Sequence, residues 1–253
     1  MTKSKSFYFI MISFIIIILA GGCNSMNKGR RLNNDFTIKD IAFDVNKKSG
    51  YSVYIKENSN YIPYLVLTSD YNGNTLVVRK EVLEEDQKFD DNTGYYEDSQ
   101  IDQYLNSDFL SAFDKEIQDK IYDTDITITA KSSIGIGGTD TESIMRKIFL
   151  LSCTEVGLFD TSFTGEEGKA LKYFKDVQSR IAYCEGMPRS WWLRTAYTLN
   201  DTMAWAVFTK GEMGGGGIEE ESGVRPAFCF KNTTNIKEKD NVQDGKKGYI
   251  ISY

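Results

Sequence analysis

The stretch YIPYLVLTSDYNGNTLVVRKEVL, residues 61–83, decides the fold class. Two apolar runs rich in β-branched residues flank the polar sextet SDYNGN. Asn72-Gly73 is the dipeptide that two-residue hairpin loops favour, because both central positions need a positive φ. The segment predicts an antiparallel hairpin. Asp70, Asn72, Asn74 and Glu81 also fall on the ligand positions of a calcium-binding loop, but Thr75 stands where such a loop needs glycine, and the flanks are strands rather than helices. The hairpin is therefore the reading adopted.

Working outward, YSVYIK (residues 51–56) alternates like a strand. Residues 99–121 change period: Ile101, Tyr104, Leu105, Phe109, Phe113, Ile117 and Ile121 fall on helical spacing. Ser99 is placed to cap the first turn, and Asn106-Ser107-Asp108 predicts a break into two helices. DITIT (125–129), RKIFLLSC (146–153), WWLRTA (191–196), MAWAVF (203–208) and GVRPAFCF (223–230) read as strands. TEVGLF (154–159) and GEEGKALKYF (165–174) read as short helical pieces, and the last apolar run, 249–253, as a closing strand. Strands, then helices, then strands predict an α+β domain rather than a parallel βαβ array.

The composition narrows the function. The chain has 253 residues, 41% of them hydrophobic and 13% aromatic, enough for one sizeable core. Its net charge of -6 argues against a nucleic-acid partner. It contains no histidine, which removes the usual Ser-His-Asp and Cys-His catalysts and the HExxH zinc site. No cofactor or metal motif is present. GIGG (135–138) lacks the third glycine and the strand–helix context of a dinucleotide loop. The acidic runs at 84–92 and 218–222 read as solvated loops.

The N-terminus carries an address. Lys3 and Lys5 precede a 13-residue apolar run, 7–19, too short for a spanning helix but suited to a secretory signal. LAGGC (19–23) resembles a bacterial lipobox, which implies cleavage after residue 22 and lipidation of Cys23. Two or more acyl chains anchor firmly, each buried methylene adding about 0.8 kcal/mol. An uncleaved N-terminal anchor is the alternative; both put the remainder outside the cytoplasm. The expected organisation is a signal peptide at 1–22, a polar tether at 23–35 and one domain at 36–253. Three cysteines are left: Cys153, Cys184 and Cys229. They read as small core hydrophobes, with a single disulfide as the alternative.

RSWWLRTAY (189–197) supplies the candidate ligand-binding side chains. On a strand, Trp191 and Leu193 share one face and Trp192 and Arg194 the other. Trp192, Arg194, Trp205 and Arg225 are the candidates: aromatic faces on which a sugar stacks, and two arginines in matching strand contexts, each also able to bond buried backbone carbonyls or a carboxylate as a structural fork. The competing reading, favoured here, makes them a structural frame. GEMGGGGIEEES (211–222) reads either as a mobile rim over a ligand or, preferably, as an insertion in a hairpin.

Together, YLVLTSDYNGNTLVVRKEVL, IDQYLNSDFLSAF, KIFLLSCTEV, RIAYCEG, WWLRTA and GVRPAF resemble, in order, the signatures of a bacterial family of unknown function, over about residues 36–230. The resemblance implies a C-type-lectin-like fold, shared with formylglycine-generating enzymes, in which two main helices flank twisted antiparallel sheets. The chain departs from both better-known branches. Its prolines, in NYIPYL, EGMPRS and VRPAF, give no Glu-Pro-Asn or Gln-Pro-Asp triplet, and Ala206-Val207 rather than Asn-Asp follows Trp205. Cys184 and Cys229 are far apart, unlike a reactive pair. The expectation is a membrane-anchored extracytoplasmic lipoprotein whose domain binds a glycan or protein and is not an enzyme. The alternatives are an enzyme on a modified lectin-like fold and a structural protein of envelope assembly.

Overall fold

The computed structural model describes residues 36–46, 52–157, 164–243 and 245–252. The signal peptide, the lipobox with Cys23 and the tether expected at 23–35 lie outside the described residues, as does most of the second half of TEVGLF. No helix among the described residues is long and apolar enough to cross a membrane.

The chain opens with a 3₁₀ turn, Ile38–Ile41, followed by β1 (Ser52–Glu57), β2 (Asn60–Tyr71), β3 (Asn74–Arg79) and β4 (Gln87–Lys88). A helix begins at α1 (Gln100–Tyr104) and runs on through a π-helical turn, Leu105–Phe109, before α2 (Lys115–Gln118). Then come β5 (Ile121–Tyr122), β6 (Thr124–Thr129), β7 (Thr141–Arg146), β8 (Ile148–Phe149) and α3 (Val177–Arg180). The C-terminal third holds β9 (Ala182–Cys184), β10 (Met187–Arg189), β11 (Trp191–Ala196), β12 (Met203–Val207), β13 (Met213–Gly217), β14 (Glu221–Ser222) and β15 (Ala227–Lys231). Two long strands close it, β16 (Ile236–Gln243) and β17 (Lys246–Ile251).

The molecule is mostly β, with few and short helices. Its large sheet is curled into a half-barrel in the order β16-β17-β1-β2-β3-β15-β5, with β8 continuing beside β5 along β15. The 61–83 hairpin is its centre. Asn72 (φ 51°) and Gly73 (φ 77°) form the expected two-residue turn between β2 and β3. The pairing is antiparallel except where β17 lies parallel to β1, so the wholly antiparallel expectation is corrected at one place. The closing strand expected at 249–253 is the C-terminal part of β17.

One side of the sheet is sealed by aromatic rings. Phe113 meets Phe109, four residues before it, Tyr64 of β2 and Phe228 of β15 in tilted and edge-to-face contacts with centroids 5.3–6.4 Å apart, and Tyr64 meets Phe228 at 5.2 Å. The sequence places the helix break at Asn106-Ser107-Asp108; the helix instead passes through it. Asn106 uses its side-chain amide on the carbonyl and N–H of Ile148 (2.9 and 3.1 Å), joining helix to β8 and leaving no need to unwind. The break falls at Phe113, which bridges to Glu57 of β1.

Two further expectations are overturned. Residues 165–174 form no helix: Glu167 points inward and is fully buried, and Gly168 holds φ 86°, outside the helical region. The glycine run is neither a rim nor an insertion. Gly214 to Gly217 lie in β13, paired in register with β12. Glycine is required because bulky side chains cross this strand. A Cβ on Gly216 would sit 2.8 Å from the indole of Trp192, and one on Gly215 would sit 2.8 Å from Met203.

Trp192 is buried and cannot retreat, whereas a Cβ on Gly217 meets nothing closer than 3.6 Å. Gly216→Ala is therefore expected to destabilise the domain by about 1–3 kcal/mol through overpacking. Gly217→Ala is expected to change stability by less than about 0.5 kcal/mol. Paired urea denaturation curves measure both.

Candidate functional site

β11 carries Trp191, Trp192, Leu193 and Arg194 into the interior, and every one of its residues is buried. Both faces of the strand are covered, so alternation sorts these side chains between two packed layers rather than between core and solvent. Trp191 donates its indole N–H to the Arg180 carbonyl (3.1 Å) and lies under the Arg225 guanidinium (5.1 Å to the ring centroid). Trp192 donates to the Gln87 carbonyl (2.9 Å) and packs edge-on against Phe89.

Arg194 is the hub. Its two terminal nitrogens donate to both carboxylate oxygens of Glu155 (2.7 and 2.8 Å), and the pair is entirely buried. Two more N–H groups go to backbone carbonyls of Leu150 (2.8 Å) and Thr127 (2.9 Å). Glu155 also accepts from the Tyr71 hydroxyl and from the Ser152 N–H (2.9 Å). A second buried carboxyl, Glu167, stands 4.0 Å from Arg194 and bonds the hydroxyls of Thr129 and Thr195. Thr195 in turn accepts the Cys153 N–H (2.9 Å).

Burial works against the Arg194 charge, but Glu155 and its neighbours hold its pKa above the ordinary arginine value. Burial pushes the Glu167 carboxyl up, against the pull of Arg194 and the two hydroxyls. One cation and one carboxylate thus form the ion pair, and Glu167 joins with a raised pKa.

The four sequence candidates do not meet in one cleft. Arg194, Trp192 and Arg225 are buried and serve the frame. Arg225 donates to the Arg79 and Lys80 carbonyls (2.9 and 3.2 Å), and burial without an acidic partner lowers its pKa to about 10. Trp205 is half-buried, tilted against Tyr197 (4.9 Å between centroids), and its indole N–H has no hydrogen-bond partner.

Cys153, Cys184 and Cys229 are buried free thiols. Burial raises all three pKa values, that of Cys229 to about 12, so no nucleophilic thiolate is available among them. Among the described residues no group of carboxylates and cysteines is arranged to hold a metal ion.

The cluster is covered by a surface cavity of about 490 Å³. Three of its wall residues touch the cluster directly. Tyr71 reaches Glu155 with its hydroxyl, and Thr127 gives its carbonyl to Arg194. Gly168 leaves the space that Glu155 fills: a Cβ there would lie 2.9 Å from the carboxylate oxygen. The rim adds Asp70 and Asn72 from the hairpin tip, Asp125 from β6, and Glu166 and Lys169. Asn72 fixes the tip by donating to the Asp125 carbonyl (2.8 Å). The cavity presents three carboxylates and one ammonium beside the apolar faces of Tyr71 and Leu171, a lining that accepts hydrogen bonds from hydroxyl and amine groups. None of the sequence candidates lines it. Two signals bore on it: Asp70 and Asn72, weighed as ligand positions and set aside for a turn, and Glu166-Glu167 held between glycines, which places an acid near a tight approach but does not say which acid turns inward.

The fold and site define a class: a mostly β domain with a curled sheet, pinned by a buried Arg–Glu cluster and opening in a polar cavity above it. A family model described as a domain of unknown function (DUF6273) matches residues 72–232, well over half of the chain, and the chain belongs to that family. No curated protein and no solved structure matches it.

Cutting one side of a buried pair leaves an uncompensated charge. Arg194→Gln is expected to lose about 3–5 kcal/mol in urea denaturation. The joint change of Arg194→Met with Glu155→Leu is expected to lose less than the single one. Glu167 sets a pH dependence. Above about pH 4.3 an unfolded glutamate releases its proton while the native one keeps it. Stability from this site therefore falls as pH rises, until the native carboxyl ionises. Glu167→Gln is expected to flatten the fall of melting temperature above that pH.

Proposed function

We propose that this chain is an extracytoplasmic lipoprotein that displays a ligand-binding domain from the membrane through lipid on Cys23. The cavity beneath the 72–73 turn is its binding site. The observation that carries the reading is the coupling of wall to cluster: Tyr71, Thr127 and Gly168 are each locked against a fully buried ion pair. A site held by its supporting shell loses little freedom when a ligand arrives. At about 490 Å³ the cavity is in the size range of small-ligand sites.

The lining favours a ligand rich in hydroxyl or amine donors, as in a glycan or the exposed end of a glycan-bearing partner. Binding is favoured over catalysis. The chain has no histidine, and its three described cysteines are buried with raised pKa values. We read the architecture as a divergent C-type-lectin-like fold. What supports this is a helix laid against twisted, largely antiparallel strands, together with the Trp-Trp-Leu-Arg and Gly-Val-Arg-Pro-Ala segments that build its centre.

Two measurements test the proposal. Calorimetric titration of the full chain in detergent with a panel of neutral and amino-sugar oligosaccharides is expected to yield a binder. Asp125→Asn or Lys169→Gln should then weaken it at least about tenfold, roughly 1.4 kcal/mol. A binder indifferent to both changes would move the site elsewhere, and a panel without binders would count against glycan recognition. For the anchor, Cys23→Ala should abolish membrane retention or leave the signal uncleaved; unchanged retention and processing would overturn it.

A further inference from the structure

We propose that the cavity at the β5 edge of the large sheet is a second binding site, whose ligand is an acidic carbohydrate. The cavity measures about 550 Å³ and is separate in its lining from the one above the Arg194 cluster. β5 is a two-residue edge strand. Ile121 turns into the core, at 2% exposure, and alternation turns the neighbouring ring of Tyr122 outward, at 40% exposure. An aromatic ring held at a sheet edge offers a flat face to the C–H face of a sugar.

Three lysines from separate parts of the chain line the cavity. Lys231, at the end of β15, pairs beside β5 and holds its ammonium 5.9 Å from the Tyr122 ring centroid. Lys120 comes from the turn before β5. Lys147 comes from the residue between β7 and β8, and its ammonium is positioned by the Gln118 carbonyl at 3.2 Å. Two acids share the lining. Asp119 is already tied to Lys115, an i,i+4 partner that does not line the cavity. With Asp123, two carboxylates in the lining stand against three ammoniums, an excess of one positive charge in a chain whose net charge is -6.

Another part of the lining is polar. Thr233, Thr234 and Asn235, on the way into β16, offer hydroxyl and amide groups. They are fixed in place by the first strand-like residues of the domain: Thr37 bridges Asn235, and Ile38 donates to the Thr234 carbonyl at 2.9 Å. Ring, cations and hydroxyl groups match three parts of one ligand: the sugar face, its carboxylate or phosphate, and its remaining hydroxyls. The first cavity has the reverse charge, three carboxylates to one ammonium, so the two sites select different ligands.

The test uses the full chain in detergent with three probes: trigalacturonate, its methyl-esterified neutral form, and inorganic phosphate. Trigalacturonate is expected to bind, and more weakly as salt is raised. The ester should bind at least about tenfold more weakly, since it lacks the charge-assisted bonds. Lys231→Gln and Lys147→Gln should each weaken trigalacturonate severalfold. Tyr122→Ala should weaken it about tenfold, while Tyr122→Phe keeps the ring and the affinity. Asp125→Asn, in the first cavity, should leave it unchanged.

Equal binding of acid and ester would overturn the proposal, as would absence of binding. Displacement by phosphate at the same concentration as by trigalacturonate would overturn the sugar platform and leave only charge. Should Tyr122→Ala fail to fold in a thermal melt, Tyr122→Phe and Lys231→Gln decide: loss in the first or none in the second counts against the site.

Discussion

Everything around the centre of this domain is arranged so that one guanidinium can exist away from water. Arg194 makes two bonds to Glu155 and two to backbone carbonyls, which occupy four of the five donors of its fork. Such a pair gains nothing over well-packed apolar groups unless every remaining lone pair is also met. The structure meets them with Tyr71 from the hairpin, the Ser152 N–H and, around Glu167, the hydroxyls of Thr129 and Thr195. These partners come from β2, β6, β11 and two connecting segments. The cluster is thus less a source of raw stability than a registration mark: it forms only when these elements arrive together.

That requirement explains the local oddities. The segment around Glu167 gives up helix because its carboxyl must turn inward. Gly168 is glycine because Glu155 occupies the place of its side chain. β13 is built of glycine because the Trp192 indole of β11, two strands away, lies over its surface. Each departure from simple propensity is a consequence of placing large or charged side chains in the interior, where close packing leaves no slack.

Much of the frame was legible in the sequence. Asn72-Gly73 announced the central hairpin, Ser99 the helix start, and the apolar runs the principal strands, because turn chemistry and periodicity act locally. The mostly β balance and the parallel β1–β17 pair were not legible, since strand order is set by long-range contacts. The glycine strand was invisible for a physical reason: residues without side chains have no hydrophobic period to read. At the site, Arg194 was picked out, as a ligand contact or, preferably, as part of a structural frame, but its partner was not. No pattern in the sequence tells a guanidinium that meets a ligand from one that meets Glu155, and the two positions are far apart along the chain. The cavity itself draws on three segments, and the one that carries a motif, the hairpin tip, carries a turn signal rather than a ligand signature.

Asn232 adds one last consequence. Its amide donates to the carbonyls of Ser69 and Gly73, both at 3.1 Å, and accepts from the Thr75 hydroxyl at 2.6 Å. The family match begins at Asn72 and ends at Asn232, so its two boundaries are stitched side by side. β2 pairs with β3 across that seam, and its Tyr71 reaches Glu155, so the strands outside the matched stretch and the stretch itself share one core and hold each other in register.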